Sequence, residues 1–160
     1  MRITLIKADY HNEQHGKDLV MLLNSYALDP MGGGKALSDN VQQNLVATIA
    51  NRNDFLTLLC YVDDKPAGIL NCVEGFSTFK CKPLLNIHDC GVLKEYRGLG
   101  ISQKLFIEAE RISRERGYCK LTLEVLEGNI VAQNAYKKLG FSGYELDVKT
   151  GNAMFWEKVL

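Results

Sequence analysis

Residues 92–102 read VLKEYRGLGIS and separate an apolar run, residues 84–92, from an amphipathic run, residues 101–116. This order predicts a strand, a glycine-containing loop and a helix. Glycines let backbone N–H groups crowd around an anion, and the start of a helix presents the positive end of its dipole to the same place. The stretch therefore predicts a phosphate-binding loop, with a ligand-free strand-to-helix turn as the alternative.

The composition is that of an ordinary globular domain. The chain has 160 residues, of which 46% are hydrophobic and 24% charged, with 19 basic and 19 acidic side chains. This charge balance argues against a dedicated polyanion binder, so we expect no nucleic-acid partner. The apolar runs fall short of the roughly 20 residues that span a membrane, so we expect no membrane partner. The amino terminus is too short and too polar for a signal peptide, so we expect a single cytoplasmic domain over residues 1–160.

The chain contains five cysteines, an odd number, and no Cys-x-x-Cys pair. Several lie in strand-like runs, which predicts reduced and mostly buried thiols. Cys81, His88 and Cys90 match no common zinc spacing, so we expect no metal site.

The hydrophobic pattern of the whole chain predicts a mixed α/β sheet covered by helices. Strands are expected at residues 3–5, 55–62, 67–73, 84–92, 121–125, 141–148 and 153–159. Helices are expected at residues 11–28, 38–49, 101–116 and 130–139. In the last strand, we expect Phe155 and Trp156 to belong to the core.

The glycine loop matches neither of two common nucleotide-binding motifs. A triphosphate-binding loop needs Lys and Ser or Thr after its last glycine, whereas Gly100 is followed by Ile101 and Ser102. The chain also lacks the Gly-x-Gly-x-x-Gly that opens a dinucleotide-binding unit. Both nucleotide classes are therefore disfavoured.

Residues 97–102, RGLGIS, resemble the acetyl-CoA signature of the GNAT N-acetyltransferases, which reads Arg/Gln-x-x-Gly-x-Gly/Ala. Ser102 departs from the usual Gly or Ala, but serine is small enough for a ligand to approach closely. Val92 lies where the family usually has a valine or isoleucine that ends its central strand.

A second segment supports the same resemblance. Asn129, Ala132, Tyr136 and the pair Gly140-Phe141 are similar to the family's Asn-x-x-Ala…Tyr-x-x-x-Gly-Phe segment. The order of elements resembles the family along essentially the whole chain. The resemblance implies a GNAT-like, mostly antiparallel sheet of about seven strands with about four helices and splayed central strands.

The resemblance also implies acetyl-CoA as the co-substrate and no metal. Its pyrophosphate would be held by the backbone of Arg97, Gly98, Leu99, Gly100, Ile101 and Ser102. The arm that carries the thioester would run beside the end of the central strand, at Val92, Leu93 and Lys94. The side chain of Asn129 would bond to this arm, or would act only as a helix cap.

Two side chains are expected to move protons when a primary amine attacks the thioester directly in a ternary complex. Tyr136 is expected to protonate the departing thiolate, with a packed core tyrosine as the alternative. Strand alternation would place Asn86, His88 and Cys90 on one face of the central strand, and the other face would carry Ile87 and Asp89. The resemblance implies a catalytic His or Glu at the position of Asn86 or His88, so His88 is our first choice for the general base, alone or through water, with a structural strand histidine as the alternative. Glu74 and Glu124 are weaker choices. Asp89 could face the helix layer or pair with a basic residue, and it is given no role.

The resemblance leaves the acceptor open between a small-molecule amine and a protein amino group, and it allows a homodimer. We expect residues 26–37 and 74–82 to surround the acceptor, where Asp29 or Glu74 could hold a cationic amine. An acyl-enzyme on Cys90 is disfavoured because no clear activating partner is present. The alternative to an enzyme is a non-catalytic CoA-binding sensor or interaction module.

Overall fold

Five strands form a single sheet and follow one another in chain order, β1-β2-β3-β4-β5. They are β1 (Ile3–Lys7), β2 (Phe55–Val62), β3 (Lys65–Ser77), β4 (Lys82–Val92) and β5 (Leu121–Leu123). The first four strands pair antiparallel, and β5 runs parallel to β4. The computed structural model describes residues 1–160 and divides them into two compact units, Met1–Leu123 and Glu124–Leu160. The sheet belongs to the first unit, and the prediction of one domain stays a prediction.

Four α-helices accompany the sheet, in agreement with the predicted number. They are α1 (Glu13–Leu28), α2 (Asp39–Ala50), α3 (Ile101–Glu115) and α4 (Ile130–Lys138). The Asn12 side chain caps α1 by accepting from the N–H groups of Gln14 and His15, and the Ser38 hydroxyl caps α2 by accepting from the N–H of Val41. None of the helices combines the length and the hydrophobicity that a membrane span requires.

Helices cover both faces of the sheet in the first unit. On one face, α1 and α2 contribute Leu19 and Ile49 to a core cluster that includes Ile69 of β3. On the other face, Gly68 admits α3 so closely that a Cβ there would lie 2.8 Å from the side chain of Ile101. Gly68 and Ile69 are adjacent in β3, so these contacts lie on opposite faces. The sheet is therefore buried on both sides, as the continuous apolar pattern of residues 55–62 predicts.

A β-bulge at His88 changes which side chains of β4 share a face. Asn71 of β3 pairs with Asp89, and the next residue, Cys72, pairs with Ile87, so His88 has no partner opposite it. Adjacent residues of β3 point to opposite faces, and their partners do the same. Asp89 therefore lies on the face that α1 and α2 cover.

The predicted alternation along β4 is wrong for this reason. It expected Asn86, His88 and Cys90 to share one face, with Ile87 and Asp89 on the other. The bulge instead puts Asn86 and Asp89 on one face and Ile87 and Cys90 on the opposite face.

The two strands at the end of the sheet are paired over a short length only. β5 pairs with β4 from Leu85–Leu121 to Ile87–Leu123 and no further. β4 continues to Val92, and no strand pairs with that edge beyond Ile87. β4 therefore has an edge beyond Ile87 that no strand pairs with, and the splaying that the resemblance implies stays a prediction.

The sheet has five strands and not the predicted number of about seven. Residues 141–148 and 153–159 form no strand, and a single bridge joins Glu145 to Asn152. The turn between them is formed, since the Asp147 carbonyl accepts from the N–H of Thr150. A single bridge is too little to hold two strands together, because even an isolated two-stranded hairpin is only marginally stable. The apolar side chains of these two segments therefore have no partner strand to pack on. Phe155 and Trp156, expected in the core, are 78% and 79% exposed.

Candidate active site

The glycine loop between β4 and α3 adopts a backbone that only glycine adopts readily. Gly98 and Gly100 have φ values of 83° and 72°, in the left-handed region. Gly100 is the residue before the first turn of α3, and it offers no side chain to cap the helix. A Cβ on either glycine would meet no atom within 4 Å, so the surface above the loop is open.

The N–H groups at this loop and the start of α3 lack acceptors in the protein. The first hydrogen bond of α3 runs from the N–H of Lys104 to the carbonyl of Gly100. The N–H groups of residues 98–103 donate to no backbone or side-chain oxygen. The first turn of α3 also contains no acidic residue. This set of donors at the positive end of a helix dipole suits a phosphate or pyrophosphate group.

The side chain of Arg97 turns away from the open loop. Its Nη2 donates to Asp29 Oδ2 at 2.8 Å, and its Nε donates to the carbonyl of Val92 at 3.2 Å. The pKa of Asp29 is lowered, first by the hydrogen bond that its carboxylate accepts from the backbone N–H of Met31 and second by its pairing with Arg97. Arg97 therefore offers its backbone to a ligand while its guanidinium is already paired. Asp29, one of two residues expected to hold a cationic amine, is neutralised by the same pair.

The residues after β4 divide between core and surface. Leu93 packs against the core cluster under α1 and α2, and its N–H donates to the carbonyl of Ala67. Lys94 begins a short 3-10 turn and is exposed. Val92 is the last residue of the open β4 edge, where its carbonyl accepts from Arg97. Three residues are expected beside the thioester arm, and two of them are accessible. Val92 is accessible because it lies on the open strand edge, and Lys94 because its side chain is exposed.

The candidates for the general base are placed very differently. His88 is exposed at the bulge, with its Nδ1 3.4 Å from Oδ1 of Asn86. The carboxylate of Glu74 accepts a hydrogen bond from the hydroxyl of Tyr118, so it is already engaged. Glu124 is the first residue of the second unit. Within the first unit, both His88 and Glu74 are exposed, but only Glu74 is held by a hydrogen bond from another strand or loop, and the role of His88 stays a prediction.

All five cysteines are free, as predicted, but only Cys60 and Cys72 are buried, so the expectation of mostly buried thiols is wrong. Burial, with a smaller contribution from Asp89, raises the pKa of Cys90 to about 12. Burial likewise raises the pKa of Cys72 to about 12. The thiolate is the nucleophilic form of cysteine, and these values leave very little of it at neutral pH.

The second unit contains the two other predicted site residues, on α4. Asn129 precedes the helix, and its Oδ1 accepts from the N–H of Ala132 at 3.1 Å, so the capping role is real. Tyr136 is half-buried, and its ring meets the ring of Phe141 edge-on, with the centroids 6.1 Å apart. Their roles toward a ligand stay predictions.

A groove of about 570 Å³ runs between α1 and α2 in the first unit. Its lining includes Lys17, Asn24 and Gln42 but no residue of the glycine loop and none of residues 26–37 or 74–82. The groove is therefore separate from the segments expected to surround the acceptor. No group of three or more His, Cys, Asp or Glu side chains is arranged to hold a metal ion.

Sequence reasoning missed two contacts that shape this region. Arg97 and Asp29 are 68 residues apart in the chain, and no local pattern links them. The bulge at His88, which turns Asp89 toward α1 and α2, has no marker in the sequence such as a glycine. A long-range pairing and a bulge both depend on the partner strand, which a single sequence does not reveal.

Comparison with known proteins connects this geometry to a family. A model of the Acetyltransferase (GNAT) family matches residues 19–141. Streptothricin acetyltransferase of Streptomyces lavendulae is 41% identical over 63 residues, which make up 39% of this chain. The match spans 33% of that relative's length.

Solved structures share the fold over nearly the whole chain. The crystal structure of a probable acetyltransferase superposes with a TM-score of 0.80 at 20% identity, and the match covers 100% of both chains. The structure of AAC(6')-Iy, in complex with the bisubstrate analog CoA-S-monomethyl-acetylneamine, gives a TM-score of 0.76 at 15% identity over 100% of both chains. At these identities the likeness shows the fold alone.

Proposed function

Because the chain belongs to the GNAT family of acetyltransferases, we propose that it transfers the acetyl group of acetyl-CoA to a primary amine of a small molecule, by direct attack in a ternary complex. The observation that carries this proposal is the row of N–H groups at residues 98–103 without acceptors in the protein. They lie directly after the open edge of β4. An anion-binding loop and an unpaired strand edge together suit a ligand with a pyrophosphate and an amide-containing arm.

The residues present fit the donor at both ends of this stretch. The loop from Gly98 to Ser102 would hold the pyrophosphate through backbone N–H groups, which explains why a paired Arg97 side chain is compatible with binding. The β4 edge between His88 and Val92 would bond the arm as a neighbouring strand does. Asn129 would contribute its amide nitrogen, since its Oδ1 already caps α4. The bound donor supplies an activated thioester carbonyl.

Proton transfer is assigned to two side chains. An alkyl amine with a pKa of about 10.4 is mostly protonated at neutral pH and must lose a proton before it attacks. His88, exposed on the bulge beside the open edge, would take that proton directly or through water. Tyr136 would donate its phenolic proton to the departing thiolate.

Direct attack is favoured over an acyl-enzyme. Cys90 is the cysteine of the central strand nearest to the open end of β4, and its pKa of about 12 keeps it protonated. Its side chain also shares a face with Ile87 and not with Asn86. No nucleophile is therefore prepared on β4, which leaves the acceptor amine as the attacking group.

A small-molecule acceptor is supported by the relatives. The matched Streptomyces protein is named for streptothricin, a small molecule. The solved AAC(6')-Iy complex holds an analog that joins CoA to an acetylneamine. Both point to amines that are free molecules in preference to protein amino groups.

The test is thiol release from acetyl-CoA across a panel of small amines, followed by mass spectrometry of the products. We expect at least one amine to gain an acetyl group with release of one thiol per acetyl. Tight CoA binding without release for any amine would instead identify a CoA-binding module. Protection against heat unfolding by ATP but not by CoA would remove acetyl-CoA altogether.

A further inference from the structure

A chain of buried polar groups crosses the sheet on the face that α1 and α2 cover. The hydroxyl of Tyr10 donates to Thr57 Oγ1 at 3.2 Å, and Thr57 Oγ1 donates to Asn71 Oδ1 at 2.7 Å. Asn71 Nδ2 then donates to Asp89 Oδ2 at 3.0 Å. Thr57 and Asn71 are 0% and 2% exposed, in a layer otherwise filled by aliphatic side chains. Burying hydroxyl and amide groups is costly unless their bonds serve the fold or the site.

Every donor in this chain points toward the carboxylate of Asp89. Because Asn71 Oδ1 accepts from Thr57, its Nδ2 is the atom left to face Asp89. Burial keeps the first donor protonated, since it raises the pKa of Tyr10. The carboxylate is thus held by a neutral amide donor and not by a cation.

The carboxylate of Asp89 has no cationic partner in the protein. No lysine, arginine or histidine lies within ion-pair distance, and its hydrogen bond comes from Asn71. On the helices, Tyr26 feels this carboxylate: its pKa is raised by burial first and by Asp89 second. Tyr26 lies near the end of α1 and is the first residue of the segment expected to border the acceptor. A half-buried carboxylate without a cationic partner at that place suits a positively charged ligand group.

The two other carboxylates expected to bind a cation are already engaged. Asp29 is paired with Arg97, and Glu74 accepts from Tyr118. Glu74, like Asp89, has a neutral donor and no cation, but it is exposed, so Asp89 is the half-buried carboxylate of the three that no cation faces.

The chemistry of attack decides which nitrogen Asp89 would hold. A carboxylate beside an ammonium group stabilises the protonated form and raises its pKa. An attacking amine held in this way would lose nucleophilicity, whereas a second ammonium group would only anchor the molecule. We infer that Asp89 binds a cationic group of the acceptor other than the attacking amine, and that Thr57 and Asn71 position its carboxylate. This rests on the proposed function and narrows the acceptor to amines with at least two basic groups.

The test compares α,ω-diamines with straight-chain monoamines of the same carbon number, at saturating acetyl-CoA. Wild-type protein is expected to show a kcat/KM about ten-fold higher for a diamine of suitable length than for its monoamine. In Asp89→Asn this preference should disappear, mainly through a higher KM for the diamine, while kcat/KM for the monoamine stays within about two-fold. A wild type without diamine preference, or a variant that keeps it, would overturn the inference.

Two further variants separate positioning from folding. Thr57→Val removes the hydroxyl from the hydrogen-bonded chain and is expected to raise the KM for the diamine. Thr57→Ser keeps the hydroxyl and is expected to keep the wild-type KM for the diamine. Asp18→Asn is the matched control, because Asp18 is also a buried carboxylate held by neutral donors, Tyr61 and Gln14. It should change stability and leave the diamine preference intact. If no amine is acetylated by wild-type protein, the proposed function itself fails, which this series distinguishes from a failure at Asp89.

Discussion

At the scale of single residues, Tyr136 offers the sharpest separation of chemistry from structure. Its ring packs edge-on against Phe141, and phenylalanine in its place would keep that contact. We predict that Tyr136→Phe lowers kcat about ten-fold or more, because the departing thiolate loses its proton donor. Steady-state kinetics and CoA titration should show a reduced kcat with an unchanged CoA affinity.

Tyr144→Phe is the control for this prediction. Tyr144 is another tyrosine of the second unit, and it is 58% exposed. Its variant should keep wild-type turnover. An unchanged kcat in Tyr136→Phe would remove Tyr136 from the acid role and leave it as a packing residue.

At the scale of elements, the glycines at the two ends of α3 allow backbone strain to be separated from ligand binding. Gly100 and Gly117 have φ values of 72° and 71°, and a Cβ on either would meet open space. Alanine at a left-handed position costs about 1–2 kcal/mol, so both variants should lose similar stability. Gly100→Ala should also lower CoA affinity about ten-fold or more, because the loop must shift to relieve the strain and its N–H groups lose their common direction.

Calorimetric titration with CoA and chemical denaturation measure the two effects separately. Gly117→Ala is expected to lose stability while it binds CoA as wild type does. Equal CoA affinity in both variants would contradict the assignment of the loop as the pyrophosphate site.

At the scale of the whole molecule, the two units bury their apolar residues to different extents. Leu59 of β2 is fully buried in the core cluster, whereas Val159 is 86% exposed. We predict that Leu59→Ala lowers the free energy of unfolding by about 2–5 kcal/mol, because it leaves a cavity in a packed layer. Val159→Ala should stay within about 0.5 kcal/mol. Denaturant unfolding of both variants measures this contrast, and a comparable loss in Val159→Ala would show that the end of the chain packs into a core.

The extent of burial also explains how far sequence could predict the fold. β2 runs from Phe55 to Val62, as its continuous apolar pattern predicts, because a strand buried on both faces has no polar positions. The expected strands at residues 141–148 and 153–159 have the right alternation but no ladder of partners. A pattern of apolar residues indicates that a segment can form a strand, but it does not indicate whether a partner strand lies beside that segment.

The same limit applies to the site. The glycine loop follows from local chemistry, since positive φ values favour glycine and the residues after it begin a helix. The direction of Asp89 depends on one extra residue in β4 relative to β3, and that offset exists only in the paired sheet. Motifs within a loop were therefore predictable, whereas faces and ion pairs that require two strands or two distant segments were not.

Asp29 uses its two oxygens for two different parts of the first unit. Oδ1 accepts from the N–H of Met31, which fixes the turn after α1, and Oδ2 accepts from Arg97 beside the glycine loop. A ligand that moves either segment changes the free energy of the other through this one carboxylate. Such coupling is reciprocal, so any factor by which the donor alters acceptor affinity is the factor by which the acceptor alters donor affinity. The occupancy of each substrate site would then depend on the concentration of the other substrate before any atoms react.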